Sequence, residues 1–373
     1  MTLFDVICIG AGPTGLACAI EAKRAGLRPL VIDKGCLCNS LYHYPTNMVF
    51  FTTPERMEIG DLPMTTLGGK PTRAEALKYY RRAVEHYNLE VKLYERVDKV
   101  DSHRDLFSVH TVDQLGESCG GNHVPAIAQH HEYHGRKLII ATGYYDLPNY
   151  LGVPGENLPF VFHYFTDPHP YWNQDIVVVG AKNSAAEAAL ELFRAGARVT
   201  LVHRGPGVGK SLKYWVKPDL ENRIRAGEIK ALFNHYVTRF EPGRVFLRQC
   251  TPEDNRIVKA VSPDPAPDYD VSSAGEKILF AAQVFAMTGY HPDFSFLEEL
   301  GIRLDPITMR PDVNPETLET NVPGIYLAGV VVGGRNTSDI FIENGRFHGR
   351  QIIASITGQG RIQEPAPVAP PGE

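Results

Sequence analysis

Phe4-Asp-Val-Ile-Cys-Ile9 followed by Gly10-Ala-Gly12-Pro-Thr-Gly15 is the stretch on which the fold turns. The apolar run Phe4–Ile9 reads as a buried parallel strand. Gly10 permits a tight turn, Gly12 lets a pyrophosphate approach the backbone, and Gly15 lets helix and strand pack closely. Thr14–Ala25 then reads as a helix closed by Gly26, whose N-terminus can meet the pyrophosphate charge. Arg28–Ile32 is a second strand, and Asp33 at its end is placed to accept a ribose hydroxyl. A lone G-x-G-x-x-G is a weak signal. Strand, loop, helix, strand and acid in this order make a dinucleotide-binding βαβ unit.

The pattern returns. Asp175–Val179 reads as a strand and Ser184–Ala195 as a helix closed by Gly196, with Arg198–Val202 as the next strand. Gly180-Ala-Lys182-Asn183-Ser184-Ala185 fills the loop. Lys182 replaces the middle glycine; its Cβ should hinder close approach, while its ammonium can meet phosphate. Ala185 is a tolerated third position. No acid ends the strand; His203-Arg204 stands there instead. A carboxylate would repel a 2′-phosphate and Arg204 can pair with one, so NADPH is expected here before NADH. The competing reading is two ordinary surface residues.

Outward from these units, the chain of 373 residues suggests two domains. Residues 35–72 are irregular and rich in Tyr, Thr, Pro and Asn, which in a compact domain points to a functional loop. Arg73–Tyr87 has helical spacing. Leu106–Val112 and His131–Ile140 read as strands of a meander, as do Tyr236–Phe240, Arg244–Arg248 and Ile278–Ala286. Ile325–Gly329 reads as a buried strand and Ile340–Ile356 as one helix. The expected fold class is α/β, with two Rossmann-like domains that each carry a small β-meander. The second is inserted in the first: residues 1–164 and 289–360 form one domain and 165–288 the other. The proline-rich end, 361–373, reads as a disordered tail.

Net charge is -5 and no long basic run appears, so nucleic acid is not an expected partner. No apolar run reaches about 18 residues, so no membrane span is expected and the cytoplasm is the default location. Met1–Ile20 is apolar but lacks a basic start, and its glycines suit strand–turn–helix better than a leader. The six cysteines, Cys8, Cys18, Cys36, Cys38, Cys119 and Cys250, form no disulfide framework and contain no Cys-x-x-Cys.

Two such sites with Ala141-Thr142-Gly143 between them resemble the two-dinucleotide flavoprotein reductases of the small thioredoxin-reductase type. Val322-Pro-Gly-Ile-Tyr-Leu-Ala-Gly329 resembles their flavin-side strand. Asn39-Ser-Leu-Tyr-His-Tyr-Pro45, Phe50-Phe51, Glu58-Ile-Gly-Asp61, Lys70-Pro-Thr-Arg73, Ile340-Phe-Ile-Glu-Asn-Gly345 and Phe347-His-Gly349 together resemble the bacillithiol-disulfide reductase family. The resemblance implies FAD in the first domain, NADPH in the second, and reduction of a low-molecular-weight disulfide. It implies FAD contacts at Gly10, Gly12, Pro13, Thr14, Gly15, Asp33, Lys34, Asn39, Ser40, Ala141, Thr142, Gly143, Gly329, Ile340 and Phe341. Gly180, Lys182, Asn183, Ser184, Ala185, His203 and Arg204 would hold NADPH. The helix expected near Ile340 would aim its amides at the flavin pyrimidine edge. Two departures stand out. The family carries a cysteine where this chain has Thr14, and a threonine cannot exchange with a disulfide. Val330 stands after Gly329, where the wider clan has an aspartate.

Other candidates carry an ordinary reading beside the chemical one. Cys36 and Cys38 are either a replacement redox centre or inert thiols, the second favoured because a Cys-x-Cys pair is a poor local disulfide. Cys8 and Cys18 read as core. Cys119, His123, His130, His131 and His134 cluster without paired zinc spacing, so no metal is expected. Glu187 is either near the nicotinamide or solvated; Tyr42, His43 and Tyr44 either line the flavin or pack. The expected partners are a small-molecule disulfide or a small electron-carrier protein, and a homo-oligomer. An NADPH–ferredoxin or flavodoxin reductase is the first rival, and a non-catalytic flavin and NADPH sensor the second.

Overall fold

The computed structural model describes residues 2–103, 106–114, 129–209, 212–250 and 276–358. Cys119, His123 and the tail 361–373 lie outside them. The chain divides into two compact units, one of Met1–Asp146 with His291–Glu373, the other of Leu147–Tyr290.

The first unit opens with β1 (Leu3–Ile9), α1 (Pro13–Arg24), β2 (Pro29–Asp33), α2 (Asn39–Tyr42) and α3 (Arg73–His86). It continues with β3 (Val91–Leu93), β4 (Glu95–His103), β5 (Leu106–Asp113) and β6 (His130–Ile140). The sheet runs β3-β2-β1-β6-β5-β4. β1 pairs in parallel with β2 and β6, placing Ile7 opposite Leu30 and Leu138. All three side chains are fully buried. β4, β5 and β6 are antiparallel, so the meander is a continuation of the nucleotide-binding sheet.

The second unit holds β7 (Leu147–Pro148), β8 (Val161–Phe162), β9 (Asp175–Val179), α4 (Asn183–Arg194), β10 (Arg198–His203) and α5 (Lys217–Arg225). β11 (Lys230–Phe233), β12 (His235–Glu241), β13 (Arg244–Gln249), β14 (Lys277–Phe280), β15 (Gln283–Ala286) and β16 (Tyr290–His291) complete it. β11-β10-β9-β15-β8 is an all-parallel sheet, and β12-β13-β14 an antiparallel one. Alanines line the inner face of α4, where Ala185, Ala186, Ala188 and Ala189 are fully buried. Small side chains let this helix lie close on its sheet.

The chain then returns to the first unit through α6 (Phe294–Glu299), β17 (Ile325–Leu327), α7 (Ile342–Gly345) and α8 (His348–Thr357). β17 adds to β6 in parallel. α8 crosses α1 where a Cβ on Gly349 would lie 2.8 Å from the Cα of Cys18. Among the described residues no helix is long and apolar enough to cross a membrane.

Three expectations need correction. The inserted unit begins at Leu147, not at 165, because β8 pairs with β15 and belongs to the second sheet. Ile278–Ala286 is two strands, β14 and β15, in different sheets. Between them the Ala281 amide donates to Gly243 and the Ala282 amide to Asp175, which redirects the chain. The helix expected over Ile340–Ile356 is broken into α7 and α8 at Arg346–Phe347.

Candidate functional site

Two of the three glycines after β1 are required by the protein itself. A Cβ on Gly10, at φ +115°, would sit 2.3 Å from the Ala141 carbonyl oxygen. A Cβ on Gly15 would sit 2.0 Å from the Gly10 oxygen. Gly12 is different. Its φ of -76° suits any residue, and a Cβ there meets nothing within 4 Å. No packing explains that glycine. A phosphate laid against the backbone does, so the loop fits a dinucleotide.

Asp33 closes the same loop. Its carboxylate accepts from the Ala11 amide at 2.7 Å and from the Gly35 amide at 2.9 Å. Burial lifts this carboxyl to about 6, although both amides pull it down. A ribose hydroxyl donating to it would favour the ionised form. The Ala141 amide donates to Ile9 at 2.8 Å, which holds Ala141-Thr142-Gly143 against the loop. Two residues beyond Gly143, the Tyr145 hydroxyl reaches the His43 carbonyl at 3.4 Å. The rings of Tyr44 and Tyr145 meet edge to face at 4.8 Å.

The second loop follows the same rule. A Cβ on Gly180, at φ +130°, would lie 2.5 Å from the Met287 oxygen and 3.1 Å from the Ala185 Cβ. Lys182 has extended backbone that tolerates a side chain. Lys182, His203 and Arg204 form a basic group at the end of β10. Burial lowers the His203 pKa, and the charges of Arg204 and Lys182 lower it further.

Comparison with known proteins agrees. Residues 7–329 match the family described as pyridine nucleotide-disulphide oxidoreductase. Bacilliredoxin reductase Bdr of Bacillus subtilis (strain 168) is 43% identical, over 94% of this chain and 96% of its own. The solved bacillithiol disulfide reductase Bdr from Bacillus cereus is 39% identical, with TM-score 0.83 and coverage of 96% and 100%. Its counterpart from Staphylococcus aureus is 37% identical, with TM-score 0.81 and coverage of 97% and 100%. The chain belongs to the pyridine nucleotide-disulphide oxidoreductases, in the Bdr reductase family. It is an oxidoreductase with the thioredoxin-reductase-like fold read from its sequence.

In this Bdr-family chain, Thr14 lies against Gly329 and Gly345. A Cβ on either would come within 3.1 or 3.2 Å of the Thr14 hydroxyl oxygen. Ile340 reaches the same place, its Cγ2 lying 3.4 Å from the Gly345 position. The Phe341 amide donates to Asn344 Oδ1 at 2.7 Å, so that donor is spent within the turn. The helix expected near Ile340 is α7, which has four residues. Phe341 presents its ring edge to face with Phe51 at 5.8 Å.

Cys38 is 1% exposed and burial pushes its thiol well up, so it is not a thiolate. Cys36 directs Sγ at Asn39 Oδ1, 3.6 Å away, and neither cysteine is disulfide-bonded. Cys8 and Cys18 are fully buried. Lys34 is ion-paired with Asp146 at 2.9 Å, and Ser40 is half-buried on α2. Glu187 is held by Lys213 at 2.7 Å, and the Lys213 amide donates to Asn183 Oδ1 at 2.9 Å. Neither contact was visible in the sequence, because Lys213 lies 26 residues away from Glu187.

On the meander, the structure joins His131 with Glu95 and Asp113, their donor atoms within 4.8 Å of one another. Glu95 already accepts from the hydroxyls of Thr111 and Tyr133. His134 instead meets Ser108.

His348 entered the sequence reading only as part of Phe347-His-Gly349, with no role of its own. Its Nδ1 accepts the Gly329 amide at 3.0 Å, which leaves its proton on Nε2. Burial lowers its pKa to about 4, so the ring stays neutral at ordinary pH. Only the contact with Gly329, a turn at φ +80°, reveals the role of this histidine.

Proposed function

We propose that this chain takes a hydride from NADPH onto FAD and delivers two electrons to a low-molecular-weight disulfide, with bacillithiol disulfide the leading candidate. The balance is NADPH + H⁺ + RSSR → NADP⁺ + 2 RSH. The carrying observation is Gly12, where a Cβ would meet nothing within 4 Å and the backbone needs no glycine, which suits a diphosphate laid against the loop. The names of the solved relatives 39% and 37% identical, bacillithiol disulfide reductases, supply the substrate class, while the relative 43% identical is named for bacilliredoxin.

FAD would lie on Gly10–Gly15, with its ribose on Asp33 and its other end toward Ala141–Gly143 and the Gly329 turn. Bound there, it supplies a two-electron relay between nicotinamide and disulfide. The chain's residues bind and orient. Gly10 and Gly15 bring strand, helix and Ala141 together. His348 holds the Gly329 amide, and Thr14 fills the space beneath. Lys182 and Arg204 favour the nucleotide bearing a 2′-phosphate. With Thr14 in place and Cys38 buried as a thiol, electrons reach the disulfide without a protein dithiol.

Ferredoxin–NADP reductase of Ignicoccus hospitalis is 26% identical over 87% of this chain. That makes a small electron-carrier protein the second reading for the acceptor. Steady-state NADPH oxidation with a panel of disulfides, ferredoxin, quinones and oxygen decides. The proposal expects a small disulfide to be the fastest acceptor. Ferredoxin reduced far faster than any disulfide would overturn the disulfide assignment.

A further inference from the structure

We propose that Arg73 is the binding site for a carboxylate carried by the substrate, so that the disulfide is a small anionic one. This rests on the disulfide-reductase reading above and adds the charge of the ligand.

Arg73 is the first residue of α3, a helix of 14 residues. The capping box of Thr72 and Glu75 already serves that helix end. Acids are favoured at a helix start and cations are not. An arginine there breaks the local rule, which points to a function outside the helix.

Its guanidinium also lacks the partner such groups usually have. Nη1 donates to the Tyr42 carbonyl, the charge lies over the Tyr42 ring at 5.8 Å, and Nε is buried with no acceptor. Among the described residues it makes no ion pair. Arg24 and Arg350 show the contrast, since both pair with Asp61, at 2.8 and 2.7 Å. A partly dehydrated cation without a counter-ion is costly, and a carboxylate matches its planar fork.

The position suits substrate. The Arg73 amide donates to Met48 at 2.9 Å and the Phe50 amide to Pro71 at 2.8 Å, which ties Arg73 to the loop presenting Val49 and Phe51. Tyr42, Val49 and Phe51 are 51%, 53% and 37% exposed, giving the charge an apolar rim. His43, beside Tyr42, accepts from Tyr145, so the patch borders the segment that follows Ala141-Thr142-Gly143.

The test uses oxidised, FAD-loaded enzyme titrated with glutathione disulfide, which carries carboxylates, and with uncharged 2-hydroxyethyl disulfide. Binding is read by calorimetry, and KM and kcat are then measured. Arg73→Gln should weaken glutathione disulfide binding about tenfold or more, raise its KM with kcat held, and leave the uncharged disulfide unchanged. Arg73→Lys, which keeps charge but not the fork, should fall between. Equal binding to wild type and Arg73→Gln, an equal loss for both disulfides, or loss of FAD in place of disulfide would overturn the assignment. Charge-selective binding in an enzyme that turns over neither disulfide would leave the anion site standing and remove the reductase reading.

Discussion

Thr14 occupies the space that two glycines leave: its hydroxyl oxygen lies 3.1 Å from where a Cβ on Gly329 would be and 3.2 Å from one on Gly345. The three residues come from α1, the end of β17 and α7, so one side chain joins three segments. Gly329→Ala adds both a contact and a residue at φ +80°. It should cost about 1–3 kcal/mol, seen as a lower melting temperature and reduced FAD content. Thr14→Cys is close in volume and should fold like wild type. Its turnover of a small disulfide should stay within about twofold, because the reaction proceeds without a thiol at that position. A large gain in turnover would show that the thiol matters.

Gly12 and Gly10 should separate ligand from fold. Gly12→Val places a side chain in open space, so the protein should fold with its melting temperature nearly unchanged and bind no FAD. Gly10→Ala meets the Ala141 carbonyl and should lower stability directly, by several kcal/mol. Flavin absorbance after purification and thermal melts of apo-protein measure the two effects. Full FAD loading of Gly12→Val would remove the argument from the open cradle.

Asp33 gives a pH dependence with a definite sign. In the ligand-free protein burial raises its carboxyl from 3.8 to about 6. Between those values the folded apo-protein holds more protons than the unfolded chain. This group therefore favours the folded state as pH falls through about 6 and costs stability above it. FAD binding works the other way, because a ribose hydroxyl needs the ionised acceptor. FAD affinity should be level above pH 6 and fall by up to about tenfold per unit below it. Asp33→Asn should bind more weakly, without that slope. Titrations of apo-protein with FAD at a series of pH values check both.

Arg204 should set coenzyme choice. Arg204→Ala should raise the KM for NADPH about 10- to 100-fold and leave that for NADH within about threefold. Salt should weaken NADPH binding to wild type more than to the variant. Equal effects on both nucleotides would mean that Arg204 does not read the 2′-phosphate.

Most of the fold was legible because its signals are local. A β-rich run, spaced glycines and a terminal acid each act within a few residues, and both βαβ units followed from them. The helix break at Arg346 was not legible, since it reflects α7 capping itself through Asn344 and the close approach of α8 to Cys18. The division of Ile278–Ala286 was hidden for the same kind of reason: the apolar run is continuous, and only backbone bonds to Gly243 and Asp175 send it to two sheets. The glycine loops of the site were read directly. His348, Lys213 and the solitary charge of Arg73 were not, because each gains its meaning from a partner, or the lack of one, far along the chain.

The most direct test follows the flavin itself. FAD-loaded enzyme is mixed anaerobically with NADPH in a stopped-flow instrument, and a small disulfide is added in a second mix. The account predicts rapid bleaching of the flavin by NADPH, slower bleaching by NADH, and return of the oxidised spectrum with release of two thiols per flavin. A flavin that NADPH leaves oxidised, or a reduced flavin that no disulfide reoxidises, would contradict it.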